Sequence, residues 1–84
     1  MSYRLVWLPT ARDAALQIIL TRSNRAAIVG ALDRLTGTLQ QEGPAAGESR
    51  EVDFRVAFDN PLAVKFSVDE ADRAVTITDI WTVS

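Results

Sequence analysis

The 84-residue sequence contains no cysteine and no histidine. The missing cysteines exclude disulfide bonds, thiolate nucleophiles and cysteine-ligated zinc or iron–sulfur sites. The missing histidines exclude a Ser–His–Asp triad, a histidine general base and nearly all structural zinc sites. These absences remove most of the chemistry that small enzymes use, and we therefore expect neither a metal nor a cofactor.

Glycine is scarce, and long apolar runs are absent. None of the four glycines precedes a Lys-Ser/Thr pair, so the sequence has no glycine-rich phosphate loop. The apolar stretches, such as residues 14–20, contain polar breaks and are far too short to span a membrane. Together with the missing cysteines, these features predict a soluble cytoplasmic protein that does not contact membranes.

The charge is slightly acidic and unevenly distributed. The net charge of −2 disfavours nucleic-acid binding, for which a basic chain is expected. Residues 1–41 carry five arginines and two aspartates, whereas residues 42–84 carry four cations and nine acids. Solvated surface charge is the simpler explanation, and a basic helical face beside an acidic sheet end is the alternative.

The length and composition describe one small globular domain covering residues 1–84. Hydrophobic residues make up 48% and charged residues 24%, as in ordinary folded domains. The helix signals lie in the first half of the chain. Pro9 and the spacing of Thr10 and Asp13 predict a helix start, and the stop lies near residues 21–24. A second helix should run from about residue 24 to 42, with Ile28, Leu32, Leu35 and Leu39 on its buried face.

Strand patterns occupy residues 3–8 and most of the second half. Residues 51–58 and 62–68 alternate apolar with polar side chains, and residues 69–72 form an acidic hairpin loop before a last strand. The alternation breaks at Ile80, which predicts a β-bulge or a second buried face near Asp79. The order is β-α-α-β-β-β, so we predict an α+β fold with a helical hairpin packed on one face of an antiparallel meander sheet. The predicted core comprises Trp7, Ile19, Leu32, Leu35, Phe54, Val56, Val64, Phe66 and Ile77.

Three cationic positions suggest a phosphate-binding surface. Arg55 and Lys65 occupy polar positions of two strands that should pair, and Arg73 begins the last strand. If all three point to one sheet face, they could form a clamp for a phosphate group. Acidic residues on the same strands would neutralise much of that field, so nucleic-acid contact is the less favoured interpretation.

The C-terminal strand suggests a protein interface instead. Two helices can cover only one face of the sheet, which leaves apolar side chains near the last strand for a partner. The candidates are Trp81, Ile80 and Val83. Trp81 is the strongest of them because exposed tryptophans often anchor interfaces. The alternative is that Trp81 only completes the core.

The whole pattern resembles the RelE/ParE toxin superfamily. The first strand, Tyr-Arg-Leu-Val-Trp-Leu-Pro, opens a helix with Thr-Ala-Arg-Asp-Ala-Ala-Leu, and a helical hairpin and a meander follow. The resemblance extends to the strand Leu-Ala-Val-Lys-Phe-Ser-Val and the acidic hairpin Asp-Glu-Ala-Asp. It implies the bacterial toxin of a type II toxin–antitoxin system, which inhibits growth and is neutralised by a cognate antitoxin. Toxins of this superfamily cleave mRNA on the ribosome or poison DNA gyrase.

The sequence departs from the nuclease branch at several positions. Ala57 and Ala63 stand where that branch carries basic residues, and residues 80–83 replace its basic C-terminal segment. Cleavage of RNA needs a group that activates the 2′-hydroxyl and cations that stabilise the transition state. We therefore expect no catalytic residues and a toxin that acts by protein binding. The alternatives are a ribosome-associated endoribonuclease and a protein-interaction domain that shares only the fold.

Overall fold

The computed structural model describes residues 2–51 and 53–83. Within these residues, strand β1 (Arg4–Trp7) leads into helices α1 (Pro9–Thr21) and α2 (Arg25–Glu42). A short 3-10 helix (Gly43–Ala46) follows, and then strands β2 (Glu48–Glu51), β3 (Phe54–Asp59), β4 (Leu62–Asp69) and β5 (Ala74–Thr82). Both helices lie close to their predicted bounds, because periodic apolar residues and a proline or glycine mark their ends.

The helix ends differ in detail from the prediction. Leu8 is the residue before α1, and no side chain caps the helix there, so the capping box predicted from Thr10 and Asp13 is not formed. Pro9 begins the helix, where its missing N–H costs nothing. Helix α2 ends at Gly43, whose φ of 57° terminates the helix with a turn that favours glycine.

The five strands form one mixed sheet in the order β1-β5-β4-β3-β2. Strands β3, β4 and β5 form the predicted antiparallel meander. β1 lies parallel to β5 at the edge of this meander, so the sheet as a whole is mixed. The helical hairpin connects β1 to the rest of the sheet and brings the chain back far enough for a parallel edge strand.

The predicted strand over residues 51–58 is two strands in the structure. Ser49 pairs with Arg55 and Glu51 pairs with Phe54, so the chain reverses between β2 and β3. Val52, which the alternation placed in the middle of a strand, lies outside the described residues. Alternation of apolar and polar residues does not reveal this turn, because both short strands continue the same period of two.

The two sheet faces carry different residues from those predicted for β3. Directly opposed residues of antiparallel strands share a face. Ala57 pairs with Val64 and lies in the core under the helices, whereas Phe58 pairs with Ala63 on the opposite side. We call the helix-covered side the helix face and the other side the outer face. The outer face includes Val6, Glu48, Phe54, Val56, Phe58, Ala63, Lys65, Ser67, Thr76, Asp79 and Trp81.

The main core lies between the helices and the helix face. Of the nine predicted core residues, Leu35, Val64, Phe66 and Ile77 are buried in this core, and Trp7, Ile19 and Leu32 are half-buried against it. Val56 is buried and Phe54 is half-buried on the outer face instead, so the prediction placed these two residues on the wrong side of the sheet. The predicted bulge is present, because the β4–β5 register shifts between Lys65 and Phe66. The extra residue on β5 turns Ile80 back to the helix face, where it is 4% exposed.

Tyr3, just before β1, contacts both the β4–β5 hairpin and helix α2. Its hydroxyl donates a hydrogen bond of 2.8 Å to Glu70, and the Arg73 guanidinium lies 4.2 Å from its ring centre. Its backbone N–H donates to the carbonyl of Gln40 near the end of α2. The hydrogen bond to Glu70 and then burial raise the pKa of Tyr3 above its ordinary value. The β4–β5 hairpin is thereby held against β1 and α2.

Candidate functional site

An apolar groove lies on the helix side, between α1, α2 and the edge strand β1. Trp7 and Leu32 line both halves of it. One half, of about 430 Å³, runs between β1 and α2, and the other, of about 200 Å³, lies against α1. We call this the helix-side groove; its other lining residues are Leu5, Arg12, Ala15, Leu16, Ile19, Val29, Asp33, Thr36 and Gln40.

The groove exists because α1 carries more apolar residues than the sheet can cover. Ala11 and Ala15 are buried against the sheet, and their small side chains let α1 lie close to it. Leu16 and Leu20 are four residues apart on another side of α1 and are 52% and 63% exposed. Val29 on α2 is 48% exposed. Leu16 and Val29 line the two halves of the groove beside Trp7, and apolar side chains grouped in this way on a small protein mark an interaction site.

Two exposed charged residues are among those that line the groove. Arg12 borders the α1 half and Asp33 borders the α2 half, and both are exposed. The groove can therefore bind an apolar stripe of a partner and contact polar or charged residues at the stripe's margins.

The predicted partner residues on the C-terminal strand do not share one environment. Ile80 lies in the core, so its assignment as an exposed interface residue is wrong in this structure. Trp81 is half-buried on the outer face beside the fully buried Ala63. Val83 is half-buried, and its N–H donates to the carbonyl of Pro61 at 2.8 Å. Trp81 and Val83 remain predictions for a partner surface.

The structure does not bring the predicted phosphate clamp together. Arg55 pairs with Phe66 and lies on the helix face, whereas Lys65 pairs with Val56 on the outer face. The sheet itself separates the two cations, because β3 has the opposite face assignment from the predicted one. Arg73 stacks on the Tyr3 ring instead. The prediction that these cations point to one surface is therefore wrong.

Each of the three cations has its own local partner. Arg55 donates a hydrogen bond of 3.3 Å to the carbonyl of Gly47. The Lys65 ammonium lies 4.6 Å from the ring centre of Phe54. Arg55 does line a cavity of about 420 Å³, but Asp53 and Glu70 line the same cavity and oppose an anionic ligand.

The carboxylates form no metal-binding constellation in the described part of the chain. No group of three or more His, Cys, Asp or Glu side chains there could hold a metal ion. In the acidic hairpin, Asp69 accepts a hydrogen bond from the N–H of Asp72, and Glu70 accepts the Tyr3 hydroxyl. These carboxylates stabilise the hairpin and its attachment to β1.

One ion pair links α2 to the sheet beside the core. Arg34 donates two hydrogen bonds, of 2.8 and 2.9 Å, to the carboxylate of Asp59 at the end of β3. These two hydrogen bonds are the main reason that the pKa of Asp59 lies below its ordinary value. The pair positions α2 over Ala57, and neither residue was singled out from the sequence.

The apolar groove itself was also missed by sequence reasoning, although a signal for it was present. The apolar residues of α1 between positions 11 and 20 extend around more than one helix face. A sheet-facing helix needs only one apolar stripe, so the excess at Leu16 and Leu20 indicates a second contact surface.

The architecture of the chain can be compared with that of known proteins. A helical hairpin on one face of a mixed five-stranded sheet, with a parallel edge strand, is an α+β architecture. No protein-family model matches the sequence, and no curated protein matches it either. Solved structures do match it across almost the whole chain.

Neither helix in the described residues is long and apolar enough to cross a membrane.

Two solved toxin–antitoxin complexes contain chains that resemble this one. A chain of the RelBE2 complex from Mycobacterium tuberculosis is 15% identical and has a TM-score of 0.79, with 98% of this chain and 99% of that chain covered. A chain of the archaeal RelE–RelB complex from Pyrococcus horikoshii OT3 is 17% identical with a TM-score of 0.56, covering 98% and 96%. The chain therefore has an α+β RelE-like fold, the kind of fold that its sequence pattern indicated.

Proposed function

We propose that this chain is the toxin of a type II toxin–antitoxin system and that a cognate antitoxin neutralises it by binding the helix-side groove. The groove is the observation that carries the proposal. The exposed Leu16 and Val29 line the same groove as the half-buried Trp7, and apolar side chains gathered in one groove of a small domain mark an interaction site. Two solved structures with the same fold are toxin–antitoxin complexes, which supports an antitoxin as that partner.

The chain would inhibit growth in the bacterial cytoplasm by binding a target protein. DNA gyrase and the ribosome are the two targets that the resemblance implies. The endoribonuclease alternative needs cations around one phosphate group, and the separation of Arg55 from Lys65 by the sheet removes its main support. A binding mechanism requires only an exposed surface, which the structure provides.

The test is a growth assay with the short reading frame next to the gene as the candidate antitoxin. Induction of the chain alone should arrest growth, and co-expression of the neighbour should restore it. Leu16→Glu should weaken the complex between the two purified proteins at least tenfold, because it places a charge on an apolar contact. Gln17→Glu is the matched control, since it adds the same charge one residue away on an exposed position of α1.

The outcome also discriminates among the alternatives. Arrest that is unchanged in an Arg55→Ala/Lys65→Ala double variant supports action by binding. Site-specific mRNA cleavage on translating ribosomes that disappears in this variant would establish the endoribonuclease instead. No arrest and no complex with the neighbour would leave a domain that shares only the fold.

A further inference from the structure

The outer face of the sheet is more apolar than a solvent-facing sheet surface normally is. An antiparallel sheet with one uncovered face usually carries polar side chains there. Here three aromatic residues lie on that face, namely Phe54, Phe58 and Trp81. Phe58 is 54% exposed, whereas Ala63 between it and Trp81 is fully buried. Two-layer packing leaves this apolar surface without a covering layer.

We propose that the outer face binds a second copy of this chain, sheet against sheet, to form a symmetric dimer. The β4–β5 ladder is the geometric basis. Its outer-face pairs are Ala63 with Trp81, Lys65 with Asp79 and Ser67 with Thr76. The first pair combines a small residue with a large one, the second combines opposite charges, and the third combines two hydroxyl groups.

In this dimer the two-fold axis runs parallel to the strands, above the line between β4 and β5. Each of these pairs then forms two equivalent contacts between the copies. The axis places every residue of β4 over the β5 partner of the second copy. Lys65 then faces the second copy's Asp79, and Asp79 faces the second copy's Lys65. Trp81 lies over the second copy's Ala63, between aromatic rings. The face is therefore complementary to itself in charge and in side-chain size.

The mixed charge of the face also favours a second copy over a strongly charged ligand. Arg4 and Lys65 provide positive charge, and Glu48, Asp69 and Asp79 provide negative charge. Because neither sign dominates, the face does not select a polyanion such as RNA. A self-complementary contact needs both signs on one surface.

The size of the face suits a moderate dimer. With the two-fold axis between β4 and β5, β2 extends past the edge of the second copy, and four strands of each sheet are covered. At a spacing of about 4.8 Å these strands give a width of about 19 Å, and a mean strand length of about 22 Å gives a flat footprint of about 400 Å². Projecting side chains enlarge the accessible surface toward the roughly 800 Å² that each partner contributes to a stable interface. We therefore expect a concentration-dependent dimer. The helix-side groove lies on the other side of the sheet and stays open, so this inference does not rest on the proposed function.

Sedimentation equilibrium of the purified chain tests the dimer. The apparent mass should rise toward twice the chain mass between about 1 and 500 μM, a range that includes micromolar dissociation constants. Phe58→Glu should weaken association at least tenfold, whereas Leu16→Glu in the groove should leave it unchanged. A monomer at the highest concentration overturns the proposal. So does a dimer that Leu16→Glu dissociates and Phe58→Glu does not.

A second measurement covers the case in which Phe58→Glu does not fold. The chain has two tryptophans, so a Trp7→Phe variant leaves Trp81 as its single tryptophan. Its emission should shift to shorter wavelength as the concentration rises and return on dilution, because dimerisation removes the ring from water. Emission that stays constant while the mass doubles would place the interface elsewhere and refute the proposal.

Discussion

At the scale of single residues, two glycines, one within α2 and one at its end, differ in whether the structure has room for a side chain. Gly43 has a φ of 57°, and a Cβ atom added there would overlap the Tyr3 ring. Gly37 lies within α2, and a Cβ atom added there would meet no atom within 4 Å apart from its chain neighbours and the backbone of its own helix. Gly37 therefore has no packing role and only weakens the helix.

The two glycine positions give a paired prediction. Gly43→Ala should destabilise the protein by about 2 kcal/mol or more, because it adds backbone strain and displaces the Tyr3 ring. Gly37→Ala should stabilise it by about 0.5–1 kcal/mol, because alanine is the better helix former. Urea unfolding of both variants beside the natural sequence measures these changes. Equal midpoints for the two variants would contradict the assignment.

At the scale of secondary-structure elements, β3 decides which residues meet the helices. Ala57 is 4% exposed beneath α2, where its small side chain leaves room for the helix and for the Arg34–Asp59 ion pair. The larger residues Phe54, Val56 and Phe58 face the other way. The most apolar alternating set of β3 therefore does not lie against the main core.

The orientation of β3 predicts unequal effects for neighbouring substitutions. Ala57→Leu should cost about 1–3 kcal/mol, since it overfills the space below α2. Phe58→Ser should cost less than about 1 kcal/mol in a dilute monomer, since the ring is largely exposed. Chemical denaturation at low protein concentration compares them. A larger loss for Phe58→Ser would restore the face assignment predicted from the sequence.

The elements also show why part of the site escaped prediction. Helices α1 and α2 were predicted closely, because their signals are local: a periodic apolar stripe, a proline and a glycine. The turn between β2 and β3 and the face of β3 were not, because a period of two gives two equivalent faces and only neighbouring strands choose between them. The incorrect face of β3 led directly to the incorrect clamp of Arg55 and Lys65.

At the scale of the whole molecule, stability depends on one small core. Phe66 is fully buried at its centre, whereas Leu32 lies at the edge and lines the groove. Phe66→Ala should cost about 3–5 kcal/mol, a large part of the stability of so small a domain. Leu32→Ala should cost clearly less, because water and neighbouring side chains already reach its site. Thermal unfolding checks the order, and a reversed order would contradict this description of the core.

The sequence by itself determined much of the content of this fold: the extent of the two helices, the β4–β5 hairpin, the bulge near Asp79 and the resemblance to the RelE/ParE fold. All of these depend on local spacing, which a single chain records directly. The tertiary structure alone decided that β1 pairs parallel with β5, that Arg55 and Lys65 lie on opposite faces, and that Leu16, Leu20 and Val29 stay exposed. These features depend on which surfaces remain uncovered after the elements pack, and packing joins residues that are distant in the chain.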